Sequence, residues 1–176
     1  MNQIEQVIQW VTGLINEETL YFGIFVASLI ETVFPPIPTL AIFPLAGFVA
    51  SQSGIDVFGT VLLGIIGGIG ASIGSTVIYV VSWKLGRKIV LQYLRRIRIQ
   101  ESSIIRAERW FRKYGDKIVL FGRMLPIMRE MVSIPAGILK MHPLKFLIYT
   151  FTGSCVWSIG TIFAGYYFGA AVFSNP

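Results

Sequence analysis

The chain has 176 residues, 54% hydrophobic and 14% charged, with a formal net charge of +6. Soluble domains carry about 25% charged residues, so a water-soluble globule is excluded and one membrane domain, residues 1–176, is expected. The positive balance does not point to nucleic acid, because all 15 Lys and Arg residues lie between Lys84 and Lys145, flanked by long uncharged runs.

Residues 1–16 come first. Ile4, Val7, Ile8, Val11, Leu14 and Ile15 follow helical spacing, and Asn2, Gln3, Glu5, Gln6, Gln9 and Thr12 take the other face. This predicts an amphipathic helix, too polar to span, lying at the interface or against the bundle. A first repeat is expected over residues 19–83. It starts as a helix, meets Glu31, and enters an uncharged stretch from Thr32 to Ile55 interrupted by Pro35, Pro36, Pro38 and Pro44. Each proline removes a backbone donor and clashes with the preceding turn, so no regular helix is expected there. Backbone groups freed in this way cannot face lipid. A re-entrant hairpin over about residues 31–50, shaped by Pro35, Pro36, Pro38 and Gly47 and buried in protein, meets that requirement. Val57 to Trp83 then carries no charge and exceeds the roughly 20 residues a helix needs to cross a bilayer.

Residues 84–116 are basic. Eleven Lys and Arg residues fall between Lys84 and Lys117, whereas Glu17, Glu18 and Asp56 lie before or at the start of the first span. The positive-inside rule places residues 84–117 in the cytoplasm. Within them, Arg95 to Lys113 mixes Ile97, Ile104, Ile105, Trp110 and Phe111 with its charges, the pattern of a helix on an anionic inner leaflet. A second repeat is expected over residues 117–173. Its hairpin, about 118–139, is shaped by Pro126, Pro135 and Gly137, and its span over 146–173 carries the C-terminus outside.

The two halves align at an offset of 90: residues 36–47 (PIPTLAIFPLAG) fall on 126–137 (PIMREMVSIPAG), and Gly70 falls on Gly160. The charge distribution fits an inverted arrangement of the halves without an exception. The expected fold is therefore an all-α integral membrane protein: an inverted repeat of two re-entrant helical hairpins, each followed by a transmembrane helix, with the N-terminal amphipathic helix added. Such repeats place a site near the midplane, where the broken helices meet. Gly64 and Gly68, and Gly70 and Gly74, let a neighbouring helix approach the first span closely.

Four charges fall inside the expected hairpins. Arg123 and Arg129 flank Pro126, Glu130 follows, and Glu31 precedes the first proline cluster. A charge at a helix centre in hydrocarbon costs at least about 2.5–3.5 kcal/mol, so these four form the candidate substrate-binding set. Arginines in such a place hold a phosphate or carboxylate by charge-assisted, often bidentate hydrogen bonds. The plainer alternative is that Glu31 and Glu130 only neutralise the arginines. His142 and Cys155 are single residues of their kinds, which give neither a His-based metal site nor an internal disulfide. With no nucleophile–base set and no Walker-type loop, neither an enzyme nor a cofactor is expected.

The run FGRMLPIMR from Phe121 to Arg129, followed by SIPAGILKM from Ser133 to Met141, resembles the signature of the DedA family, also called SNARE-associated or VTT-domain proteins. The likeness extends to Glu31 with Phe34 to Pro38, to Ala46 and Gly47, to Gly70 and Gly74, and to Tyr79, Gly86 and Arg87. The resemblance implies an inverted-repeat membrane protein that moves undecaprenyl phosphate or phosphatidylethanolamine between leaflets, or works off a proton gradient. It implies functional roles for Glu31, Arg123 and Arg129. One departure stands out: many members have a small residue and an acid after the first prolines, where this chain has Thr39 and Leu40. The resemblance therefore does not carry two-carboxylate proton coupling. The resulting expectation is a multi-pass plasma-membrane lipid transporter whose partner is an anionic or zwitterionic phospholipid or a polyprenyl phosphate. A proton-coupled carrier of small ions or drugs and a non-transporting scaffold stay open as alternatives. A homodimer is one way for so short a chain to enclose a cavity.

Overall fold

Prolines set the boundaries of the helices. A computed structural model describes residues 17–33, 39–96 and 101–173; the amphipathic helix expected over 1–16 and Pro35, Pro36 and Pro38 lie outside them. The described helices are α1 (Glu17–Val33), α2 (Thr39–Gln52), α3 (Val57–Arg96), α4 (Glu101–Tyr114), α5 (Lys117–Arg123), α6 (Pro126–Met131), α7 (Ser133–Ile138) and α8 (Pro143–Phe173). Pro126 and Pro143 each open a helix and Pro135 lies in the first turn of α7, positions where the missing N–H is one the helix leaves unpaired anyway. Leu125, just before Pro126, is extended at φ −109°, ψ 127°, as the proline ring demands of its predecessor. The chain therefore turns between α5 and α6.

One expectation is corrected here. The stretch from Thr32 to Ile55 contains a regular helix, because α2 runs through Pro44. The proline lies in the second turn and costs a single ladder bond. Tight packing compensates: the backbone of Pro44 lies directly against Gly165 of α8, and Gly47 lies against the Ile162 carbonyl. A side chain at either glycine would clash with that backbone.

Among the described residues, two helical stretches are long and apolar enough to cross a membrane, Val57–Ile89 and Pro143–Phe168. The first continues beyond Trp83 to Gly86, whose φ of 71° and ψ of 173° break the helical path. Arg87, next along, pairs with Glu108 of α4 at 3.0 Å. Large apolar side chains cover the outside of both stretches; Phe58 is 76% and Phe168 69% exposed. Such a surface suits lipid and would drive association in water. The described residues form an all-helical structure with two apolar spans.

The shorter helices pack on the two long ones in a crossed pattern. α1 packs on α3, where Gly70 admits the Phe25 carbonyl, and α5 packs on α8, where Gly153 admits Arg123 and the Leu120 carbonyl. α2 packs on α8, and α7 packs on α3, where Gly137 meets the Tyr79 carbonyl and Ser82. Gly160, aligned with Gly70 at the offset of 90, has nothing nearby, so that pair shares no packing role. Two apolar cores result. One gathers Leu20, Ile24, Phe43, Ile55, Leu63 and Ile162. The other gathers Tyr79, Phe111, Val132, Met141 and Phe146, with Tyr79 stacked on Phe146 at 4.3 Å and its hydroxyl donating to the Met141 carbonyl.

Candidate functional site

Charged residues are buried next to members of both cores' helices. Glu31 sits in the last turn of α1 and Arg129 in α6, and Arg129 Nη2 lies 3.7 Å from Glu31 Oε2. Both side chains are 3% exposed. The Arg129 guanidinium carbon also lies 5.4 Å from the ring centroid of Phe43 in α2, within cation–π range. Arg129 thus reaches from the later segment into a wall built by α1 and α2. Burial of the carboxylate carries a desolvation cost that the neighbouring guanidinium offsets.

Arg123, the last residue of α5, is fully buried. Its Nη2 donates to Ser133 Oγ of α7 at 2.6 Å, a short charge-assisted bond. Its stem lies on Gly153 of α8, where a methyl group in place of the glycine hydrogen would come within 2.6 Å of the Arg123 Cβ. Two buried arginines are therefore held by two devices, one by a carboxylate and a ring, the other by a hydroxyl. A buried ion pair is weak evidence for stability, because desolvation consumes most of its attraction. What the arrangement does chemically is present guanidinium groups, suited to a phosphate or carboxylate, in an apolar setting.

Of the expected site residues, the fold brings Glu31 and Arg129 together and puts Arg123 on α5, fastened to Ser133 of α7. Glu130 lies in α6, and its side chain, like the Pro126 ring, is outside the described ones. Gly47 is buried within α2, and Pro135 and Gly137 are buried within α7. Phe43 and Ser133 were missed as site residues. A signal existed, because Phe43 falls on Ser133 at the same offset of 90 that aligns the two halves, and each contacts one arginine. A groove of about 500 Å³ opens between α3 and α8, lined by Ile69, Ser72, Ile73, Thr76, Leu147, Ile148 and Phe151. The Gly68–Cys155 contact lies beyond one end of it and the Tyr79–Phe146 stack beyond the other.

Two apolar helices around a buried arginine–glutamate cluster define a class, helical membrane proteins with a polar interior. The family is specific: the VTT domain matches residues 37–167, and the chain belongs to this family, the DedA family. Undecaprenyl phosphate transporter A of Bacillus subtilis is 31% identical over 167 residues, 95% of this chain and 78% of that protein. A Lactococcus lactis subsp. cremoris relative named Alkaline phosphatase-like protein is 32% identical over 154 residues, 82% of this chain and 69% of that one. Protein DedA of Escherichia coli is 27% identical over 155 residues, 85% and 69% of the two chains. No solved structure matches the chain.

Proposed function

We propose that this protein moves a phosphate-bearing lipid between membrane leaflets, with a polyprenyl phosphate as the first substrate and phosphatidylethanolamine as the second. The carrying observation is the burial of Arg123 on Ser133 and of Arg129 on Glu31 in a molecule with two long apolar helical stretches. In the proposed architecture α1 and α2 are the arms of one re-entrant hairpin, α5 and α6–α7 the arms of an inverted second, with residues 84–117 in the cytoplasm and the C-terminus outside. The crossed packing supports this, since each long helix carries one arm of its own half and one of the other. The name of the Bacillus subtilis relative supports the substrate.

The mechanism follows from the chemistry of the groups. A phosphate monoester replaces Ser133 on Arg123 and competes with Glu31 for Arg129, so the charge stays neutralised while it crosses. The isoprenoid or acyl chain remains in hydrocarbon, seated in the apolar groove between α3 and α8, so only the head group crosses the interior. The amine of phosphatidylethanolamine would meet Glu31.

The test is leaflet-to-leaflet movement of labelled polyprenyl phosphate and phosphatidylethanolamine in liposomes containing the wild type, Arg123→Ala or Arg129→Ala. Movement of one lipid that both substitutions abolish is expected. Movement that persists at the wild-type rate in both variants would sink the proposal. The buried Glu31–Arg129 pair favours a second reading, a proton-coupled carrier. It requires that collapsing the proton gradient stop transport while the lipid assay stays silent.

A further inference from the structure

Serine and threonine inside apolar helices ordinarily satisfy their hydroxyls on the carbonyl four residues back. Here Ser28, Thr32, Ser72, Ser75 and Thr76 all do so, at 2.6–2.8 Å. So does Thr161 of α8, on Trp157. Three neighbours on that helix do not. Thr150, Ser154 and Ser158 are at most 1% exposed, and none of their hydroxyls has a hydrogen-bond partner. A buried hydroxyl left in that state costs roughly 1–3 kcal/mol. Three in a row on one helix therefore call for an occupant.

Their spacing puts all three on one face of α8, with a rise of about 6 Å per step and about 12 Å in all. The lower end adjoins the arginine site, because Gly153, between Thr150 and Ser154, is the residue on which the Arg123 stem rests. The upper end points toward the end of the bundle where Tyr166 donates to the Ile55 carbonyl.

We infer that Thr150, Ser154 and Ser158 form a hydroxyl track that takes the phosphate head group of the lipid along α8 from Arg123. Hydroxyls donate to phosphate oxygens without a fixed charge. Several weak sites in series let a charged group enter and still leave, whereas a further arginine would hold it. The inference rests on the lipid-moving reading above and adds the path to it.

Two experiments test it. In the liposome assay the triple variant Thr150→Val, Ser154→Ala, Ser158→Ala should move polyprenyl phosphate about tenfold or more slowly, the loss expected from three hydrogen bonds. Equilibrium binding of the same lipid to the detergent-solubilised triple variant should stay near the wild-type value, because the arginines remain. A wild-type rate in the triple variant overturns the track. If Arg123→Ala also keeps the wild-type rate, the transport reading falls with it; if Arg123→Ala is inactive, only the track falls. The second experiment does not depend on the triple variant folding. Ser154→Cys and Ser158→Cys, each in a Cys155→Ala background, should react in membranes with a charged methanethiosulfonate, and a short-chain polyprenyl phosphate should protect them. Cys155 in the wild type, on the face of α8 that packs against Gly68, is the off-track control, which the lipid should not protect. Unreactive introduced cysteines, or reactive ones that the lipid does not protect, overturn the track; equal protection by inorganic phosphate assigns it to a free anion and overturns the lipid assignment.

Discussion

The segment carrying Glu31 and the segment carrying the arginines reach the same buried place by different constructions. The first consists of two substantial helices, α1 with 17 residues and α2 with 14. The second is divided into α5, α6 and α7 of 7, 6 and 6 residues. Helices that short have little stability of their own, so tertiary contacts hold the arginine-bearing segment in place. The longer arms provide the wall, a carboxylate and a ring; the shorter ones provide both guanidiniums. The groups that would handle a substrate thus sit on the part with the least intrinsic stability, where mobile functional elements are generally found.

The contact joining the two segments carries the largest expected effect. Glu31→Ala or Arg129→Ala alone should destabilise the protein by about 3–5 kcal/mol, since each leaves a buried charge without its partner. The double variant should cost much less than the sum. Thermal unfolding of the detergent-solubilised proteins in a double-mutant cycle measures this, and additive costs would show that the pair does not couple the segments.

Ser133→Ala, confined to the second segment, removes a hydrogen bond to a charged group and should cost about 1.5–3 kcal/mol. The same unfolding measurement, with lipid movement beside it, should show loss of both stability and rate. In the first segment, Gly47→Ala should cost about 1–3 kcal/mol by overpacking, whereas Gly160→Ala, with open space around it, should be neutral or stabilising by up to about 1 kcal/mol. Equal effects at the two glycines would break the packing argument for α2. The smallest effect is expected at the rim of the second segment, where Lys145 pairs with Asp116 at 3.3 Å and is 61% exposed. Lys145→Ala should change stability by less than about 1 kcal/mol, and less still in high salt.

Much of this was legible from the chain alone. Arg123, Arg129 and Glu31 stood out because a charge in an apolar run is expensive and therefore conspicuous. Pro126 and Pro135, expected to shape the second hairpin, fall in the first turns of α6 and α7. Pro44 misled, since its effect on a helix depends on where it falls in the turn and on what packs beside it. Phe43 and Ser133 were passed over because an aromatic ring and a hydroxyl are ordinary in membrane helices. Only their neighbours make them part of a site. The hydroxyls of Thr150, Ser154 and Ser158 had the spacing of one helix face, yet spacing does not reveal whether a hydroxyl has turned back onto its own helix.

Composition by itself determined that this is a helical membrane protein, because the cost of placing charge in hydrocarbon is local and additive along the chain. Motif and composition likewise picked out Glu31, Arg123 and Arg129, three charged residues that the structure buries. Only the tertiary structure decided which carboxylate meets which arginine, that a ring and a hydroxyl hold the two guanidiniums, and that α2 survives its proline. Those outcomes depend on backbone approach at Gly47, Gly137, Gly153 and Gly165, contacts between residues far apart in sequence that no local pattern encodes.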